Sequence, residues 1–161
     1  MIQKALDRGI PVLLIDANWF PDRDAYERDL IARLEECGVG YIVLAGYMRI
    51  CGPVFLERFA GRAINLHPSL LPAYPGRDAI GQAFDAGVPQ TGVTVHFIDE
   101  GVDSGPIIAQ REVAVLADDS IDSLRTRIQA VEHELLPAVT ADLVAGRLDS
   151  AFHHSRRRNR H

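Results

Sequence analysis

Between residues 41 and 45 the chain reads Tyr-Ile-Val-Leu-Ala, an unbroken apolar run with Gly40 before it and Gly46 after it. A strand with one wet face alternates apolar and polar residues, whereas a strand covered on both faces does not. The run therefore predicts a strand buried on both sides within a parallel sheet. Helical patterns flank it, as parallel connections require. Asp22 is placed to cap a helix that carries Tyr26, Leu30 and Leu34 at spacing four and ends at Gly38. Pro53 opens a short helix that Gly61 ends. Before all of these, Met1 to Arg8 reads as the last turns of a helix stopped by Gly9, and Pro11 to Ile15 as a short apolar strand.

The second half continues the alternation. Ala63-Ile64 leads into a strand that Pro68 stops, and Ala79, Ile80, Ala83 and Phe84 form a helical stripe ending at Gly87. Gly92 to Asp99 alternates as a strand, and Pro106 to Val115 reads as another, joined by the tight polar loop 99–105. Ser120 caps a long helix whose core face carries Leu124, Ile128, Val131 and Leu135; Pro137 is expected to kink it and Gly146 to end it. The order β-α-β-α-β-α-β-β-α predicts an α/β fold: an open, mostly parallel, doubly wound sheet with an antiparallel extension.

Chemistry concentrates at Asn65-Leu66-His67-Pro68. Side chains alternate along a strand, so Asn65 and His67 share a face while Ile64 and Leu66 take the other. An amide donor and an imidazole are thereby aimed together beyond the end of a strand, where parallel sheets bind ligands. Such a pair can hold a developing oxyanion and move a proton. Asp103, in the loop that follows the alternating strand, can serve as the cap of a glycine-rich turn. His96 faces the interior of its strand and reads as a packing residue, and His133 as a surface one.

The net charge of −5 gives the body no electrostatic match to nucleic acid or to an anionic membrane. No apolar stretch approaches the roughly 20 residues of a membrane span. Cys37 and Cys51 form no C-x-x-C pair, which fits a reducing cytoplasm. No metal-ligand spacing stands out. Residues 149–161, ending Arg156-Arg157-Arg158-Asn159-Arg160-His161, read as a basic, disordered tail outside a domain of residues 1–148. Gly38-x-Gly40 precedes a strand instead of following one, so it is no phosphate fingerprint.

Asn65-x-His67-Pro68-Ser69-Leu70-Leu71-Pro72 with Tyr74-Pro75-Gly76 closely resembles the folate-dependent formyltransferases. So do Gly92-x-Thr94-Val95-His96-Phe97 with Asp103-x-Gly105-Pro106-Ile107-Ile108, Leu44 to Arg49, and Arg127-x-Gln129-x-x-Glu132-His133. The likeness runs from about Ala5 to Leu148 and is greatest to the branch that formylates glycinamide ribonucleotide in purine synthesis. It implies a Rossmann-like sheet, 10-formyltetrahydrofolate as cosubstrate, no metal, and Asn65, His67 and Asp103 as the catalytic trio. It further implies folate contacts from Arg23, from Met48, Arg49, Ile50 and Cys51, from Asn65, and from the loop Asp99, Glu100, Gly101, Val102 and Asp103. Gln129 and Glu132 would meet the ribonucleotide, Glu132 through ribose hydroxyls. Cys51 stands where a larger aliphatic residue is expected.

Each of these positions also has a plainer reading. Arg23 can pair with Asp22, Asp24 or Glu27; Arg49 can be an ordinary loop arginine; Glu132 can be a solvated helix carboxylate. Relatives that use water as acceptor have His where Pro68 stands, and relatives acting on initiator tRNA differ after Leu71-Pro72. Hydrolysis of the formyl donor, or folate binding without turnover, stays open as an alternative.

One departure from the family pattern has structural consequences. The family opens with a strand and a Gly/Ser/Asn-rich phosphate loop, and nothing here matches them, so the sheet is expected to be truncated in its N-terminal half. The first strand of such a sheet sits beside the strand that is here Tyr41 to Ala45. That strand is expected to keep an open edge, available for self-association, and Pro11 to Ile15 to lose its neighbour.

Overall fold

The computed structural model describes residues 2–148; the basic stretch 149–161 lies outside the described residues. Helix α1 (Ile2–Leu6) is followed by a 3₁₀ turn at Ala17–Trp19, then α2 (Arg23–Glu36), β1 (Ile42–Leu44), α3 (Pro53–Arg58), β2 (Ala63–His67), α4 (Ala79–Asp85), β3 (Gln90–Phe97), β4 (Ile107–Ala114) and α5 (Ile121–Val144). The caps are those the sequence announces. Asp22 accepts a hydrogen bond from the Ala25 amide at 2.7 Å, Ser120 forms a capping box with Ser123, and Pro53 stands in the first turn of α3. Pro137 lies inside α5, which runs through it as one 24-residue helix.

The four strands form one open mixed sheet in the order β1-β2-β3-β4. β1 and β2 are parallel; β2, β3 and β4 pair antiparallel. The antiparallel extension is as expected, and the parallel part is the single β1–β2 pairing. Pro11 to Ile15 joins no sheet among the described residues. A strand exists only where a neighbour supplies its hydrogen bonds, and in this segment Leu13 and Ile15 instead border a cavity that α2 and β1 also line. The expectation of a strand covered on both faces at 41–45 also fails. β1 is three residues long and outermost, and Val43 is 37% exposed. Its outer backbone edge is unpaired within the sheet, as expected.

The core lies between the sheet and α5. Ile64, Val93, Val95 and Phe97 of the sheet pack with Leu124, Ile128, Leu135, Val139 and Leu143, all buried. Burying side chains of this size contributes about 1.5–3 kcal/mol each. Opposite that core a smaller cluster of Phe55, Phe59, Ala63 and Cys51 joins α3 to the sheet. Beside these two clusters, the carboxyl end of β2 borders a cavity.

Candidate active site

The site is built on the β2–β3 pair. Register sets Asn65 opposite His96 and His67 opposite Thr94. Residues directly opposite on an antiparallel pair have side chains within contact distance, so the pairing brings a carboxamide and a second imidazole together. Beyond β2 the chain turns sharply, and a buried hydrogen-bond net holds the turn. Thr94 Oγ1 donates to the Ser69 carbonyl at 2.7 Å and accepts from the Leu71 amide at 3.1 Å. Gln110 Nε2 donates to the Leu71 carbonyl at 2.9 Å. Leu70 packs across Gly92, where a Cβ would stand 2.5 Å from its methyl group. The turn therefore delivers the Tyr74 carbonyl to within 2.8 Å of His67 Nε2.

The loop after β3 delivers the carboxylate. Asp99 accepts from the Gly101 amide at 3.1 Å and from Ser104 Oγ at 2.8 Å, which tightens the loop. Gly105 passes so close to the strand that a Cβ would lie 1.8 Å from the Phe97 oxygen, so only glycine fits. Asp103 between them sits at φ 52°, in the left-handed region that aspartate tolerates better than most side chains. Its side chain is 12% exposed, and every group it meets belongs to the site. Oδ1 accepts from Asn65 Nδ2 at 3.2 Å and lies 3.5 Å from His96 Nε2. Oδ2 accepts from the Gly76 amide at 2.7 Å and lies 3.2 Å from His67 Nδ1. One carboxylate thus spans the carboxamide and the imidazole.

These groups border a cavity of about 900 Å³, a size suited to a cofactor-like ligand. Met48, Arg49, Ile50, Cys51, Asn65, His67, Asp99, Gly101, Val102, Asp103 and Glu132 all line it. Arg23, Glu100 and Gln129 do not. Arg23 is the first residue of α2 and exposed, with its Nε beside Gly52; Gln129 is exposed on the outer side of α5. The cavity also takes in Arg77, Asp78 and Arg125, which sequence reasoning passed over, and His96 and His133, which it read as a packing and a surface residue. No local signal marks His96, because α4 separates β2 from β3 and only their pairing register sets it against Asn65. Arg125 and Glu132, seven residues apart, share a face of α5.

Burial tunes several of these groups. It raises the Glu132 carboxyl above the usual glutamate range, opposed by His133. It raises the Cys51 thiol to about 11, helped by the Glu27 carboxylate, so Cys51 is a neutral wall of the cavity and not a nucleophile. The His96 imidazole is held below its ordinary value, chiefly by burial. His67 is placed differently: both its ring nitrogens face oxygens, the Tyr74 carbonyl and the Asp103 carboxylate, that can only accept. Among the described residues no group of three or more His, Cys, Asp or Glu is placed to hold a metal ion, and no helix is long and apolar enough to cross a membrane.

Comparison with known proteins agrees with this architecture. The formyl transferase family profile matches residues 1–140. The chain is 42% identical over 144 residues to phosphoribosylglycinamide formyltransferase of Bacillus subtilis strain 168, covering 89% of this chain and 74% of that protein. It is 41% identical over 147 residues to the enzyme of the same name from Escherichia coli K12, covering 91% and 69%. The crystal structure of phosphoribosylglycinamide formyltransferase from Bacillus halodurans superposes with a TM-score of 0.86 at 47% identity, covering 89% of this chain and 74% of that one.

Proposed function

The chain belongs to the formyl transferase family, and from that membership we propose that it moves a formyl group from 10-formyltetrahydrofolate to the glycyl amine of glycinamide ribonucleotide. The observation that carries the reading is the Asp103 carboxylate, 3.2 Å from both the Asn65 amide nitrogen and the His67 ring at the margin of a ligand-sized cavity.

Attack of the amine on the formyl carbon forms a carbon–nitrogen bond and places negative charge on the formyl oxygen. The Asn65 NH₂ and the His67 ring are the donors for that charge; in the free site their N–H groups face His96, Asp103 and the Tyr74 carbonyl, so the substrate oxygen takes over one of these bonds, and losing one such donor typically costs about 100- to 1000-fold in rate. The attacking nitrogen must shed a proton and the departing folate nitrogen must gain one. Asp103, hydrogen-bonded to Asn65 and 3.2 Å from the His67 ring, holds them in register and orders the proton path between the two nitrogens. Collapse of the tetrahedral intermediate breaks the bond to the folate nitrogen and leaves the formylated amine.

Bound folate would set its pterin end against the backbone of 48–51, under the loop 99–103, and Glu132 would meet the ribose hydroxyls of the ribonucleotide from α5. Arg77 and Arg125 give the same cavity two cationic side chains within an otherwise acidic protein.

The test is direct. The chain is incubated with both substrates and the products are weighed by mass spectrometry, with free formate measured in parallel. Formylated ribonucleotide is the expected product. Formate alone would convert the reading to hydrolysis, and a folded chain that binds a folate analogue in calorimetry yet yields neither product would leave only folate binding.

A further inference from the structure

His96 is a buried ionisable group at the site to which formyl transfer, as described, assigns no task. Its two nitrogens have different neighbours. Nδ1 lies 2.8 Å from the Phe97 carbonyl oxygen, which can only accept, so Nδ1 carries hydrogen. The side chain is 3% exposed, and burial disfavours its charged form. An uncharged ring with hydrogen on Nδ1 presents a bare lone pair at Nε2. That lone pair faces Asn65 at 3.2 Å, across the β2–β3 pair.

A carboxamide has a donor end and an acceptor end. Asn65 has two neighbours at 3.2 Å, His96 Nε2 and Asp103 Oδ1, and both are acceptors. Only the NH₂ end satisfies them. The reversed amide would set its oxygen against a lone pair and a carboxylate, which leaves three acceptors facing one another and no donor. Resting on the formyl-transfer reading, we propose that His96 is a positioning residue, whose Nε2 lone pair fixes which end of the Asn65 carboxamide is the donor in the cavity. It acts through Asn65. The other ionisable groups that bear on its ring are Asp103 and Asp99 from the loop, which favour its charged form, and His67 from β2, which opposes it. Protonation would turn Nε2 into a donor and draw it to Asp103 Oδ1, 3.5 Å away, releasing the amide.

Two measurements test this, one of them independent of turnover. In nitrogen-15 spectra of the whole chain, the His96 ring is expected as the uncharged form with hydrogen on Nδ1. The Asn65 side-chain NH₂ is expected to exchange slowly, and at least tenfold faster in His96→Leu, which fills the space without an acceptor. In transfer assays His96→Leu is expected to lose about 10- to 100-fold in kcat with both KM values nearly unchanged, less than removal of a full oxyanion donor. His96→Gln, whose side-chain oxygen can accept from Asn65, is expected to recover part of the loss. In an Asn65→Ala background, His96→Leu is expected to cost nothing more. A charged ring, hydrogen on Nε2, unaltered Asn65 exchange, or losses that multiply in the double variant would each overturn the proposal. If the wild-type chain transfers no formyl group, the reaction reading fails while the spectra still decide the role of His96.

Discussion

Glu27 ties the frame of the site to the wall of its cavity, and removing it has a cost that the structure lets one work out. It lies on α2, 3% exposed, and accepts from the Gly52 amide at 2.5 Å and from the Phe55 amide at 3.2 Å. Those amides belong to the N-terminus of α3, whose cap position, Gly52, has no side chain to satisfy them. Glu27 therefore supplies from another helix what a Ser or Asp usually supplies locally. A Cβ on Gly52 would stand 2.8 Å from the carboxylate, so the glycine is what admits it. Glu27→Ala strands two buried N–H groups, at about 1–3 kcal/mol each. Relief of a buried carboxylate offsets part of that. A net loss of about 2–4 kcal/mol is expected, which in a domain of this size lowers Tm by roughly 5–15 °C. Gly52 directly follows Met48 to Cys51 on the cavity wall. Affinity for a folate analogue should therefore fall even at temperatures where the variant is folded. Thermal denaturation by circular dichroism, paired with calorimetric titration, reads both effects. A Tm within about 1 °C of wild type, the range of an ordinary surface substitution, would refute the reasoning.

Three further outcomes are expected. His67→Ala should abolish transfer while leaving folate-analogue affinity within a few-fold, so an unchanged rate in steady-state assays would remove His67 from the chemistry. Alkylation of Cys51 should stay slow at neutral pH and accelerate only as pH nears about 11, because burial disfavours the thiolate; mass mapping of iodoacetamide adducts against exposed Cys37 checks this. Glu132 has a folded-state carboxyl raised above its unfolded value, so the unfolded chain releases that proton first as pH rises. Stability is then lost as pH climbs from the unfolded value through the raised one. Glu132→Gln should accordingly raise Tm at neutral pH, lose that advantage below the ordinary glutamate range, and raise KM for the ribonucleotide.

Much of this was legible in the chain because it depends on local chemistry. Asp22, Pro53 and Ser120 start helices for reasons contained within a few residues, and Gly9, Gly87 and Gly146 end them at positive φ. The strands β2 and β3 were legible too, and with them the shared face of Asn65 and His67, although β3 is buried from Thr91 to Phe97 and not alternately. What failed depends on neighbours distant in sequence. Leu13 and Leu14 look like strand residues but have no strand beside them, so they stay exposed. Val43 looks like core and is an edge. Glu27 caps a helix 25 residues away, and no local motif announces it. Arg23 matched a family position by letter and stands outside the cavity. His96 was read as packing because its partner, Asn65, appears only when the pairing register of β2 and β3, which α4 separates, is known.

The claim on which the rest depends is that Asn65, His67 and Asp103 work as one unit and not as three independent contacts. The rate of formyl transfer by the double variant His67→Ala/Asp103→Asn, set beside the two single variants, tests it most directly. If Asp103 acts by holding the imidazole, the double variant loses no more than His67→Ala alone, as in other catalytic groups that function together. Losses that multiply would show the carboxylate and the ring acting separately, and would contradict it.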